Sequence, residues 1–279
     1  MFVDKSRPGV DGVRRAVTSY TRRYPEYADN LSVYGGILEV QQEAIRAIPK
    51  PDILHPHIVD SRLRQGMTLV EPIDVRIDED TFPGLAEGVC DALAARIPDG
   101  FRERLMGEEG LGASIDWSIE AVLSNETPGI FEGEDDELAS RVIFEALVPY
   151  FEALSNEYQG IMDWSVWRRG HCPVCGAPPL MGKLREGDGL WILECSLCRA
   201  AWSVRRDSCP FCDSGEESQL EFLHLDGDDS HRIMYCPACL RYIKTVDLKN
   251  AGFDAIMSLE DIVTVELDRA AARKGLEPA

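Results

Sequence analysis

Four Cys-x-x-Cys pairs constrain this chain more than any other feature of its 279 residues. They are Cys172/Cys175, Cys195/Cys198, Cys209/Cys212 and Cys236/Cys239. In such a knuckle one tight turn brings two sulfurs to the same cation, and turn N–H groups aimed at the sulfurs stabilise their negative charge. Two knuckles complete a tetrahedral four-sulfur site. The stretches between partners hold 19 residues (176–194) and 23 residues (213–235), lengths that suit a hairpin and resemble zinc-site spacing. Equivalent cysteines recur 37 residues apart at the first knuckle and 41 at the second, so one unit is written twice. Four knuckles can combine into two sites in three ways. The repeat favours neighbours: Cys172, Cys175, Cys195 and Cys198 in one, Cys209, Cys212, Cys236 and Cys239 in the other. A thioredoxin-type redox pair needs a single such motif beside a βαβ pattern, which is missing here. Zinc and iron both accept four thiolates, and the spacing does not choose between them. Each site would be full, with no position left for a reacting water.

The rest of the chain is organised around this repeat. Residues 1–165 read as a helical domain. Val13, Val17, Tyr20 and Tyr24 mark one helix face, and Ile37, Leu38, Gln41, Ala44, Ile45 and Ile48 another. A third helix spans 82–97 and contains the lone ninth cysteine, Cys90, expected as a small core hydrophobe. Ser114 caps an expected fourth helix carrying Ile115, Trp117 and Ile119. The last stripe, from Leu138 to Leu154, contains Pro149, which should kink or split it. The acidic run Glu132–Glu137 reads as a solvated loop, and His55 and His57 sit among prolines in another loop. Gly35-Gly36 lacks the strand-to-helix setting of a phosphate loop. The first ribbon module spans 166–206 and the second 207–247, each with a hairpin, at Glu186–Gly189 and near Asp226–Asp229. Helix returns over 248–279 and packs back on the core. The fold class expected is α+β.

Composition narrows the function. A formal charge of −20 disfavours generic nucleic-acid binding. Residues 163–212 carry a net +2 against −22 for the remainder, enough to meet an acidic protein surface but weak for phosphate binding. No apolar run approaches the roughly 18 residues of a membrane helix, and no secretory signal is seen, so a cytoplasmic protein without membrane insertion is expected. No Ser/His/Asp or Cys/His catalytic signature emerges. His171 beside Cys172 is either a donor to the site or an exposed loop residue, and His224 and His231 flank the second hairpin turn.

The segments CPVCGAPP, ECSLCRAAWSVRRDSCPFC and YCPACLRYIKTVDL, in this order and spacing, resemble the formate dehydrogenase accessory protein FdhE family. The matching landmarks are Trp202-Ser203-Val204-Arg205 between the second and third knuckles and Tyr242-Ile243-Lys244-Thr245 after the fourth. The resemblance covers residues 170–275 and includes a C-terminal helix. It implies rubredoxin-like modules holding two iron or zinc ions, and a non-enzymatic cytoplasmic factor that contacts the catalytic subunit of formate dehydrogenase during its maturation. The alternative functions are a rubredoxin-like redox protein passing electrons through its centres and a zinc-ribbon nucleic-acid binder. Trp202, Arg205 and Arg206, on a linker fixed at both ends by knuckles, are assigned to the partner surface. Trp202 fits equally well as core between the ribbons, whereas a buried unpaired guanidinium would cost several kcal/mol, so at least one arginine should be exposed.

Overall fold

The computed structural model describes residues 8–71, 75–78, 80–107, 110–111, 131, 133–212, 219–251 and 255–279. The expected fourth helix after Ser114 lies outside them. Two compact units emerge, and their boundary differs from the one at residue 165 expected from sequence. One unit joins Leu54–Leu69 to Tyr158–Ala279, and the other takes Val70–Glu157 with the N-terminal stretch up to Ile53.

The helical unit holds α1 (Val10–Arg23), α2 (Ala28–Ala44), α4 (Thr81–Ala92), α5 (Phe101–Met106) and α6 (Glu134–Gln159). The sequence stripes supply much of its core, Val13 and Tyr20 from α1, Ile37 and Leu38 from α2, Phe82, Leu85 and Cys90 from α4, and Leu31 of α2 joins them. Gly35 lets α1 approach α2, because a Cβ there would lie 2.7 Å from the Val17 side chain. Burial pushes the Cys90 thiol up to about 11, which makes it an inert core residue.

Two expectations about α6 are corrected. Glu134–Glu137 form its first turn and are not a loop, since four carboxylates complement the exposed N–H groups at the helix start. Pro149 does not divide the helix. A proline at this position has no N–H to give to the carbonyl four residues earlier, at Glu145. That carbonyl is satisfied from another element: Gln41 of α2 donates its Nε2–H to Glu145 O at 2.9 Å and to Glu145 Oε2 at 2.8 Å. Gln41 is fully buried, so its amide works as the missing backbone donor.

The ribbon unit begins with α3 (Pro56–Arg64), which includes His57, a residue expected in a loop. Its following turn is tied to the first knuckle by Leu69 N–H, shared between the carbonyls of Pro173 and Val174 at 3.1 and 3.0 Å. Among the described residues the strands are β1 (Pro179–Leu184), β2 (Trp191–Cys195), β3 (Ala201–Val204), β4 (Glu221–Leu223), β5 (His231–Tyr235), β6 (Arg241–Asp247) and the short β7 (Glu277–Pro278). They form one sheet of order β3-β2-β1-β6-β5-β4, with β7 beside β6. Each module is an antiparallel three-stranded meander, and the two join through a parallel pairing of β1 with β6. At this seam Gly182 faces Thr245. A Cβ on Gly182 would lie 2.4 Å from the Trp191 indole nitrogen, which donates to Thr245 Oγ1 at 3.2 Å. The glycine therefore lets a fully buried tryptophan lie across the joint.

The C-terminal segment closes over the sheet as α7 (Leu248–Ala251), α8 (Met257–Val263) and α9 (Val265–Arg273) rather than one helix. Met257 packs with Met181 and Val246, and Leu267 and Ala271 pack with Ile233, Tyr235 and Tyr242. Polar fasteners reinforce this cover. Buried Lys244 pairs with Asp261 and Asp268, both at 2.7 Å, and Tyr242 donates to Asp268 at 2.8 Å. His231, at the start of β5, lies between Asp228 (Nδ1–Oδ2 2.8 Å) and Glu260 of α8 (Nε2–Oε2 2.7 Å).

Two measurements test these joints. Gln41→Leu should cost about 1–3 kcal/mol by stranding the Glu145 carbonyl, and Pro149→Ala, which restores an N–H, should shrink that penalty in a double-mutant cycle. Burial favours neutral His231, but the two carboxylates outweigh it and raise its pKa from 6.5 to about 9. Because the folded value lies above the unfolded one, the stabilisation is complete below pH 6.5 and is lost as pH rises through about 9. The unfolding free energy of metal-loaded protein should fall across that window, by at most about 3 kcal/mol, and the fall should vanish in His231→Gln.

Candidate metal centres

The hairpins bring the eight cysteines into two groups of four, in the neighbour pairing favoured by the repeat. Within each group all four sulfurs lie within 4.8 Å of one another. Cys172 Sγ is 3.3 Å from Cys198 Sγ, and Cys175 Sγ is 3.5 Å from Cys195 Sγ. The second group repeats this crossing, with Cys209–Cys239 at 3.8 Å and Cys212–Cys236 at 3.7 Å. Tetrahedral metal–sulfur bonds of about 2.3 Å require sulfur separations of about 3.8 Å. No pair forms a disulfide.

Local backbone geometry produces this convergence. Cys172 N–H bonds to Ala177 O at 2.9 Å and Gly176 N–H to Cys172 O at 3.0 Å, closing the first knuckle. The second and fourth close alike, through Cys195 N–H to Ala200 O and Cys236 N–H to Arg241 O. The residue after the second cysteine is left-handed in each of these three turns: Gly176 (φ 78°), Arg199 (59°) and Leu240 (62°). Side-chain-bearing residues there cost on the order of 1 kcal/mol each, which the turn closure must outweigh. Turn amides point at sulfur as expected: Val174 N–H to Cys172 at 3.3 Å, Leu197 and Cys198 N–H to Cys195 at 3.4 Å, and Phe211 N–H to Cys209 at 3.4 Å.

The chemistry of the donors fits a cation. Burial pushes the thiols of Cys172 and Cys198 well above the ordinary value. Burial acts the same way on Cys195, but hydrogen bonds from the thiols of Cys172, Cys175 and Cys198 overcome it and hold that sulfur well below. A dry pocket of four sulfurs therefore sustains little negative charge alone, and a divalent or trivalent ion is what would allow all four to ionise. Cys209 and Cys239 are likewise raised by burial. The second group is the less enclosed, with Cys212 and Cys239 half-buried. These two groups are the clusters able to hold a metal ion among the described residues.

The other candidate residues fall differently. His171 packs edge-on against Trp167 at 5.1 Å, and burial lowers its pKa. His231 belongs to the carboxylate clamp on the C-terminal cover; its sequence position beside a hairpin turn gave no sign of that. Arg205 and Arg206 are exposed on the linker, with Arg205 paired to Asp207 at 2.6 Å. Trp202 is 1% exposed, which corrects its assignment to the partner surface. Its place on β3 turns the indole inward, where Nε1 donates to Arg169 O at 3.0 Å.

The profile of the FdhE central domain matches residues 171–206. An FdhE homolog of Pseudomonas aeruginosa is 30% identical over 272 residues, covering 88% of this chain and 80% of the relative. The chain belongs to the FdhE family. An FdhE homolog of Aquifex aeolicus is 28% identical over 257 residues, 91% of this chain and 87% of that protein. The crystal structure of the FdhE protein from Pseudomonas aeruginosa shares the fold, with a TM-score of 0.70 at 23% identity, over 98% of this chain and 94% of that one. Among the described residues no helix is long and apolar enough to cross a membrane.

Protein purified without oxygen should contain about two equivalents of iron plus zinc. Cys172→Ser or Cys239→Ser should release one equivalent and unfold its own ribbon module, while far-UV dichroism retains the signal of α1, α2, α4 and α6. Structural four-sulfur sites supply on the order of 10 kcal/mol of folding free energy in small domains.

Proposed function

We propose that this FdhE-family chain is a non-enzymatic accessory protein for formate dehydrogenase that binds the catalytic subunit during maturation in the cytoplasm. The observation that carries this reading is the donor set. Both groups offer four sulfurs to one ion, an arrangement suited to holding a fold in shape and leaving no coordination position for substrate. The ions, iron or zinc, would fix the two knuckles of each module and thereby the linker between the modules. Cys172, Cys175, Cys195 and Cys198 would hold the first ion, and Cys209, Cys212, Cys236 and Cys239 the second.

Arg205 and Arg206 are the linker side chains offered to the partner. Trp202 supports them from below: Trp202 and Val204 are both buried in β3, immediately before the arginines. Exposed guanidinium groups on a rigid element make good interface anchors.

The test is capture of the catalytic subunit from cells expressing both proteins. The wild-type chain should retain it. Arg205→Ala with Arg206→Ala should weaken retention by about tenfold or more while both metals stay bound. Failure of the wild-type chain to retain the subunit would remove the reading; unchanged retention by the double variant would move the interface off the linker.

A further inference from the structure

A cavity of about 520 Å³ opens in the ribbon unit between the first knuckle and the third. Its lining includes Arg168, Arg169 and Arg241, and no aspartate or glutamate side chain. The apolar walls come from Pro178, Pro210 and Phe211. Ala279 and Cys209, one of the candidate metal ligands, also reach the lining. The lining is positive although the chain as a whole carries −20.

The arginine-bearing segment is fixed by its backbone rather than by its side chains. Trp167 donates its indole N–H to His171 O at 2.9 Å, and Trp202 donates to Arg169 O at 3.0 Å. Both tryptophans are 1% exposed. Between these points Gly170 N–H bonds to Pro210 O at 2.8 Å, which ties the strap to the third knuckle. Only glycine fits there, since a Cβ would lie 2.2 Å from the Phe211 ring. Two buried indoles and one glycine thus hold a four-residue strap at three places, and Arg168 and Arg169 project from it. Arg241 enters from the other side, over the Phe211 ring at 6.0 Å. Arg169 rests against the turn after α3, where a Cβ on Gly66 would strike its guanidinium.

We propose that this cleft binds a short acidic segment of a protein partner, its carboxylates received by Arg168, Arg169 and Arg241 and its intervening side chains lying on the proline and phenylalanine walls. Guanidinium forks match carboxylates in geometry as well as charge. All three arginines are exposed, whereas a site for a small free anion encloses most of its ligand. An acidic partner is repelled by a chain carrying −20 and attracted here, and the proline and phenylalanine walls set this cleft apart from the arginine-lined hollow at Arg14, Arg15 and Arg22, whose other lining residues are Thr18 and Ser19. The inference deepens the reading of the chain as a factor that contacts a client protein, and rests on it for the client's identity only. The cleft is separate from Arg205 and Arg206, which do not line it.

The experiment uses the full metal-loaded chain and a fluorescein-labelled poly-aspartate peptide, with poly-lysine and inorganic phosphate as comparison probes. Poly-aspartate should bind, with affinity falling as salt rises, and poly-lysine should not. Arg168→Ala with Arg241→Ala should weaken binding by about tenfold or more, with metal content and melting temperature unchanged. Trp202→Phe, which keeps an aromatic ring but removes the donor to Arg169 O and part of the buried bulk, should weaken it less. No binding of poly-aspartate, or binding indifferent to the two arginines, would overturn the proposal. Phosphate binding that matches poly-aspartate and displaces it would overturn it in favour of a small-anion site. A client captured equally by wild type and the Arg168/Arg241 variant would also overturn it, whereas peptide binding without client capture would remove the functional reading and leave the cleft standing.

Discussion

Drawing four sulfurs within reach of one ion requires two turns to be closed, facing and buried together, and most of the ribbon unit meets that requirement. Each sulfur pair comes from a turn whose amides already point at it, so the thiolates' negative charge has local partners before any cation is considered. Burial then works against ionisation, as the raised thiols of Cys172 and Cys198 show. A cation held among the four sulfurs would resolve this conflict, and would make metal binding and folding of each module a single equilibrium. A ribbon of this size has little apolar core of its own. Its remaining stability comes from merging two ribbons into one sheet at β1 and β6, and from laying α7 to α9 across them.

Sequence alone disclosed the parts of this arrangement that depend on local spacing. The cysteine repeat indicated two centres, their pairing and both hairpins, because a knuckle is a four-residue object and a hairpin is read from its turn. The helix stripes located α1, α2, α4 and α6 by the same logic. The domain boundary was not legible, since nothing local to Leu54–Leu69 says that Leu69 will donate to carbonyls more than a hundred residues away. The seam between modules was hidden for a related reason. Gly182 in the first hairpin looks like any strand glycine until Thr245 and Trp191 arrive beside it.

Pro149 and His231 show how long-range partners reverse a local expectation. A proline inside a helical stripe ordinarily breaks it because one carbonyl loses its donor. Here Gln41 of another helix replaces that donor, so the stripe stays a single helix of 26 residues. The apolar face on which Gln41 sits in sequence contained the compensating group, but only the packing of α2 on α6 reveals what it compensates. His231 in sequence only flanks a hairpin turn. Two carboxylates, one from the turn and one from α8, make it a buried positive charge that ties the C-terminal cover to the second module.

Trp202 carries the same lesson into function. An aromatic beside two arginines, between fixed knuckles, has the composition of an interface anchor. Its position in β3 decides otherwise, because alternation along the strand sends Trp202 and Val204 inward before the chain emerges at Arg205. The buried indole still bears on the surface, through the carbonyl of Arg169. Trp167 does the same two residues further along the strap, at His171. Neither tryptophan can touch a partner, yet both fix the backbone from which Arg168 and Arg169 project. The rigidity that makes a surface arginine a good anchor originates here in buried N–H groups and in a glycine too crowded to be anything else, and the adjoining metal knuckle holds the far end of the same segment.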